Sequence, residues 1–290
     1  MGFNTTFWVV QTLNALSLGG LLFVLSVGFS LIFGLMRVPN LSHGALFMLG
    51  AYFGLTSLRT GIGFWPSVLV GGLGVGVIGA VVERLLLRRL HGRPLPQVLV
   101  TLGIAFIIAD GCLAIWSGDP VPIPPPFPFR GAVRAFGFFF PSYRLAIPVF
   151  ALVVGIALWF MLERTRLGAM IRAGVDDMEM ARGIGIPVSR LFSIMFFLGC
   201  ALAGMGGVLG APILSVHPGL GSEMLPLALL VVILGGIGSL GGAMLGSVVI
   251  GFVDVFGQAL LPNLSYVILF LPMVVILIAR PRGLLGTRAL

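Results

Sequence analysis

The sequence predicts an all-α polytopic membrane protein with about eight or nine transmembrane or re-entrant helices. Of its 290 residues 58% are hydrophobic and only 9% are charged, and the mean hydropathy is +1.15. The apolar residues also fall in long runs bounded by charges and turn formers. No water-soluble domain hides so much apolar surface, so the solvent is a bilayer. Barrel strands would alternate over about ten residues, and these runs do not. Crossing the hydrocarbon core takes roughly 20 apolar residues per helix, which leaves almost nothing for a soluble domain. One transmembrane domain over 1–290 is expected.

Taken in order, the runs cover residues 12–35, 41–58, 64–87, 98–116, 145–162, 191–214, 224–237, 241–261 and 266–278. The second, seventh and ninth are short, and short segments broken by Gly or Pro form half-helices or re-entrant turns. Glycine pairs four apart recur on single helix faces: Gly50 and Gly54, Gly72 and Gly76, Gly206 and Gly210, Gly242 and Gly246. Small residues let helices approach closely where lipid removes the hydrophobic drive for association.

All 17 basic residues are arginine. Without lysine the chain carries no phosphate-binding loop of the G-x-x-x-x-G-K-[ST] type and no Schiff-base lysine. The net charge of +8 therefore marks cytoplasmic loops rather than a nucleic-acid surface. Arg84, Arg88, Arg89 and Arg93 form one cluster, Arg164 to Arg190 a second, and Arg280, Arg282 and Arg288 a third. An even number of runs separates each pair of clusters, so all three lie on the cytoplasmic side. Nine spans then put the N-terminus outside and the C-terminus inside. No positive charge precedes the first run, so a cleavable signal peptide is not expected. Cys112 and Cys200 lie inside apolar runs and read as small buried hydrophobes.

Two connections are long. The outer one, about 119–144, contains Asp119-Pro120-Val121-Pro122-Ile123-Pro124-Pro125-Pro126-Phe127-Pro128, an extended, stiff segment because each proline fixes its own φ and restricts its predecessor. It reads as a rigid connector or as a docking surface for an outside partner. The cytoplasmic one, about 163–190, holds Asp176, Asp177, Glu179 and five arginines. Its spacing predicts a short amphipathic helix over 175–182, with Met178 and Ala181 on one face, ended by Gly183, Gly185 and Pro187. Such a helix lying along the membrane is what a motor needs to push on a transport channel.

Within that loop, Glu179-Met180-Ala181-Arg182-Gly183-Ile184-Gly185 resembles the E-A-A-x-x-x-G coupling loop of bacterial ABC importer permeases, with Met180 in place of the first alanine. Asn40-Leu41-Ser42-His43-Gly44 is similar to the N-[FL]-[AS]-H-G segment of LivH-type permeases, the branched-chain amino-acid branch of those importers. Gly235-Gly236-Ile237-Gly238-Ser239-Leu240-Gly241-Gly242-Ala243 resembles their L-G-G-x-G-[ST]-x-x-G-A signature, and Arg280-Pro281-Arg282-Gly283-Leu284-Leu285-Gly286 their R-P-x-G-[IL]-[LF]-G terminus. The four matches keep the family's order, and the His43-Gly44 pair favours the LivH-like over the LivM-like partner.

The resemblance implies a non-catalytic translocation subunit of the LivH/LivM type in the bacterial inner membrane. Its implied partners are a LivM-like second permease, two LivG/LivF-like ATPases and a periplasmic substrate-binding protein. ATP and Mg would be held by the ATPases, with no cofactor or metal on this chain. Asp176, Asp177, Glu179, Ala181, Arg182 and Gly185 are then the ATPase-coupling candidates. Candidates for the translocation path are Asn40, Ser42, His43, Asp110, Gly235, Gly236, Gly238, Ser239 and Asp254. Asn40 and His43 either cap a helix and hold a tight turn, or leave free backbone N–H groups for a carboxylate. Asp110 and Asp254 sit in apolar runs, where an ionisable group usually faces protein or water. His217 and Glu223 flank Pro218 at an outer loop.

The expected solute is a branched-chain or other apolar amino acid, or a related urea, amide or aromatic carboxylate. A second class is a stand-alone ion-coupled carrier or channel using Asp110 and Asp254. An intramembrane enzyme has little support, because Ile237 breaks the G-x-S-x-G arrangement around Ser239 and no histidine follows it.

Overall fold

The computed structural model describes residues 5–36, 39–135, 138–280 and 283–285. All nine apolar runs are helical: α1 (Thr5–Met36), α2 (His43–Arg59), α3 (Phe64–Leu85), α4 (Pro94–Trp116), α5 (Ser142–Arg164), α8 (Val188–Leu214), α9 (Leu220–Gly235), α10 (Leu240–Leu260) and α11 (Ser265–Ala279). Two further helices, α6 (Arg166–Asp176) and α7 (Met178–Gly183), fill the long charged connection. Among the described residues six helices are long and apolar enough to cross a bilayer unaided: α1, α3, α4, α5, α8 and α10. The shorter three, with 17, 16 and 15 residues, are α2, α9 and α11, the runs expected to be broken.

The centre consists of α1, α2, α8 and α9, and α3, α4, α5, α10 and α11 pack around it. Nearly every face of α2 is buried, and α8 is buried through most of its length. Small residues make this closeness feasible. A methyl group at Gly50 would strike the backbone of Gly204, and one at Gly28 would strike that of Gly199. Along α3, side-chain carbons at Gly71, Gly72, Gly76 and Gly79 would collide with Val208, Met205, Phe197 and Cys200 of α8. These contacts zip α3 to α8 by van der Waals packing, the main attraction between helices in lipid. The outer helices present Leu99, Phe106, Ile107, Val149 and Val153 outward, as a lipid-facing surface requires.

The described members of the three arginine clusters gather at one end of the bundle. Arg88 donates to the Ser189 carbonyl at 3.0 Å, joining the first cluster to the second. Leu284 and Leu285 donate to Leu234 and Gly235 at 2.8 and 3.0 Å, docking the C-terminal segment beside the α9 exit. Pro281, Arg282, Gly286 and Arg288 lie outside the described residues.

At the opposite end, Val121 and Val216 exchange hydrogen bonds of 2.9 Å, pinning the proline-rich segment to the α8–α9 connection. Beyond it, β1 (Ala132–Ala135) and β2 (Phe138–Pro141) form an antiparallel pair with Val133 opposite Phe140. The sequence predicts an extended proline-rich segment over 119–128 and no strand after it, so this hairpin is an addition to that reading. Val133, Phe138, Phe139 and Phe140 supply the strand formers of the ladder beyond the 120–128 prolines, and Pro141 joins it only as the last residue of β2.

Candidate functional site

The charged connection contains two helices rather than one continuous helix over 175–182. The break falls at Asp177, whose backbone is extended (φ −146°). Asp177 accepts from the Met180 amide at 2.9 Å and so caps α7, a role that outcompetes helix continuation for this residue type. Thr165 caps α6 in the same way through Gly168. The end of α7 follows the expected glycines. Gly185 takes φ +87°, and the Ile186 amide reaches back to the Ala181 carbonyl at 3.0 Å. This closes the helix in the left-handed manner that glycine permits.

The faces of α7 divide cleanly. Ala181 is buried and Met178 half-buried, packed with Ile171, Val188 and Leu191. Glu179, Arg182, Met180 and Ile184 are exposed, the last two at 64% and 68%. Met180 and Ile184 thus form an exposed apolar pair framed by one acid and one base, held against the start of α8. Asp176 ends α6, and its side chain lies outside the described residues.

The second cluster lies inside the bundle. After α1 the chain turns back through Asn40, and α2 begins at His43, buried beside the middle of α1. His43 Nε2 lies 3.0 Å from the Leu25 carbonyl oxygen, and its ring stands edge-on to Phe29 at 5.2 Å. Leu25 is roughly 16 Å from the arginine-rich end of α1, so α2 starts near the midplane. Asn40 Oδ1 accepts from the Ser42 amide at 3.1 Å and the Ser42 hydroxyl at 2.6 Å, holding the tight turn. With Ser42 so engaged, no side chain caps the first turn of α2. Asn40 Nδ2, His43 Nδ1 and Ser26 Oγ are buried without hydrogen-bond partners among the described residues.

The start of α9 meets the start of α2. A methyl group at Gly221 would lie 2.9 Å from the Gly44 carbonyl oxygen, and one at Gly44 would collide with Gly221 in return. Two helix N-termini thus lie side by side inside the membrane, each with a partial positive charge. Such broken helices are how transporters present N–H groups to anionic solutes. A small cavity beside Asn40 is lined by Ile32, Pro39, Leu87, Gln97, Thr101 and Phe196. A wider one near the other end is lined by Phe53, Thr56, Ser57, Thr60, Ile62, Val70 and Trp116. The turn before α2 lines the first, and the last turns of α2 line the second.

The remaining candidates are scattered. Gly235, Gly236, Gly238 and Ser239 form the sharp turn between α9 and α10. Gly236 and Gly238 adopt φ +103° and +77°, Ser239 caps α10 through Gly242 at 3.0 Å, and the Gly238 amide donates to Ser30 at 3.1 Å. Asp110 is exposed on α4. Asp254 is half-buried on α10 and accepts from Gln258 at 2.9 Å. His217 and Glu223 approach to 3.7 Å beside the α9 start. Sequence reasoning missed the buried Glu83 of α3, which adjoins the first arginine cluster and reads there as surface charge. It also missed Gln97 and Thr101, whose only signal was their polarity just before and within an apolar run.

The family model described as branched-chain amino acid transport system / permease component matches residues 11–277. The chain belongs to this family. Among relatives, the permease is 26% identical to the high-affinity branched-chain amino acid transport system permease protein BraD of Pseudomonas aeruginosa, over 96% of each chain. It is 25% identical to the corresponding LivH of Escherichia coli, over 97% of this chain and 96% of that one. The ribose import permease protein RbsC of Escherichia coli is 30% identical over 62% of this chain and 58% of its own. No solved structure matches the permease. Its four sequence signatures fall on the α1–α2 turn, α7, the α9–α10 turn and the C-terminal segment docked against that turn.

Proposed function

We propose that this chain is the LivH-like translocation-pore subunit of an ATP-driven importer of branched-chain or other apolar amino acids in the bacterial inner membrane. The observation that carries the reading is α7, a capped helix with a buried anchor at Ala181 and an exposed knob of Met180 and Ile184. The names of BraD and LivH support the solute class. The sugar permease relative supports a wider range of small uncharged or zwitterionic solutes.

In this reading the chain pairs with a LivM-like permease, two LivG/LivF-like ATPases serve the pair, and one of them grips the 163–190 segment of this chain through Asp176, Asp177, Glu179, Ala181, Arg182 and Gly185. ATP and Mg are bound by the ATPases, and the periplasmic binding protein delivers the solute at the end bearing the 119–144 loop. ATP binding moves α7, α7 moves α8, and the path past the paired starts of α2 and α9 changes from outward-open to inward-open. The solute carboxylate meets the uncapped amides of α2 and the Asn40 amide group, while its apolar side chain faces Phe196 and Ile32. Binding there is weak, since selectivity resides in the binding protein and tight binding would impede release.

Reconstitution tests the reading. Proteoliposomes containing both permeases and both ATPases, supplied with binding protein and internal ATP, should accumulate labelled leucine. The chain alone should pass none. Leucine flux through the chain alone would instead establish a stand-alone carrier.

A further inference from the structure

The mechanism uses α7 and α8 but not the most deeply buried carboxylate among the described residues. Glu83, at the arginine-rich end of α3, is 1% exposed. Its Oε2 accepts from the Ser193 hydroxyl at 2.6 Å, and its Oε1 lies 4.0 Å from Arg88 Nε. Arg88 donates to the Ser189 carbonyl at 3.0 Å, and Ser193 lies one turn beyond Ser189 on α8. Glu83, Ser193, Ser189 and Arg88 thus close a ring joining α3 and the 3-10 turn Leu87–Leu90 to the first two turns of α8.

Those turns of α8 directly follow the coupling segment. The Ile186 amide bonds back to Ala181 of α7, and Val188 and Leu191 pack against Ala181. On the other side of the ring, Leu87 and Phe196 wall the cavity beside Asn40. Leu87 lies between Glu83 and Arg88 and their neighbours in the 3-10 turn, and Phe196 stands one turn beyond Ser193. A carboxylate withdrawn from water in this way is costly to bury unless its partners hold it, and Ser193 and Arg88 are those partners.

We propose that the Glu83–Ser193–Ser189–Arg88 ring is a clasp that passes the displacement of α7 to the wall of the cavity beside Asn40. The clasp makes Leu87 and Phe196 move as one unit with α8. Glycine packing already fixes α3 to α8 through the membrane, and the clasp completes that rigid pair at the end where force enters. Hydrogen bonds and packed side chains run without a gap from α8 through the ring to Leu87 and Phe196, the kind of connected network that can carry coupling. Glu83 is therefore a positioning residue, and the assignment rests on the import reading above.

The test uses the full complex in proteoliposomes, with labelled leucine as the probe, and reads leucine moved per ATP hydrolysed together with ATPase co-purification. Glu83→Ala and Ser193→Ala should each lower leucine per ATP by about fivefold or more, the effect of stranding one buried polar group. Both variants should keep their ATPases, and Glu83→Gln, which still offers Ser193 an acceptor, should restore most of the ratio. An unchanged ratio in both alanine variants overturns the clasp. So does loss of the ATPases or failure to assemble in both, which would make the ring a fold element only. If the wild-type complex moves no leucine, the import reading itself fails, and that result is distinct from wild-type transport that the variants share.

Discussion

Asn40 has a different task at each end of its side chain. Its oxygen holds the turn through Ser42, while its Nδ2 is buried and unpartnered among the described residues. Asn40→Asp separates the two tasks, because the carboxylate still accepts from Ser42 but places negative charge where the solute carboxylate is proposed to pass. Leucine uptake by the reconstituted complex should fall about tenfold or more, a change of only about 1.4 kcal/mol. ATPase co-purification should be unchanged, since the turn survives. Asn40→Ser with uptake as poor as Asn40→Asp would assign the loss to the turn instead. The sequence made Asn40, Ser42 and His43 visible as candidates because polar groups stand out in apolar runs. It could not show that His43 reaches the Leu25 carbonyl or that Gly221 abuts Gly44. Both contacts join residues far apart in the chain, and no local pattern encodes them.

At the scale of the element, α7 depends on its caps. Asp177→Ala removes the acceptor for Met180 and should cost about 1 kcal/mol of local helix stability. Uptake should fall severalfold while the amount of folded permease is unchanged, and Asp177→Asn should retain function. Packing gives a second prediction. Gly50→Val forces a branched side chain into the backbone of Gly204, and overpacking of this kind costs about 1–3 kcal/mol. Thermal unfolding in detergent should shift down for Gly50→Val and stay unchanged for Gly103→Val, because a methyl group at Gly103 meets open space. All nine apolar helices were legible as apolar runs because lipid leaves hydropathy as the dominant signal. The break at Asp177 was not, since acidic spacing fits a continuous helix as well as a cap. The β1–β2 hairpin escaped because a proline-rich start masks the strand formers that follow it.

For the whole molecule, the proposed function requires a bundle with two helix starts meeting at its centre to be driven from α7 at its arginine-rich end. Arginine placement already separated the two ends, and the structure gathers the described members of the three clusters at one of them. Asp110, a sequence-level path candidate, stands exposed on α4. The central claim is that a separate motor engages α7. The most direct test is a pull-down of the detergent-solubilised permease with the ATPases produced beside it, comparing wild type with Glu179→Arg and Gly185→Arg. The account predicts that wild type retains the ATPases. Both variants should lose most of them, Glu179→Arg by reversing charge on the exposed face and Gly185→Arg by straining the φ +87° turn. Wild type that captures no ATPase, or variants that capture as much as wild type, would contradict it.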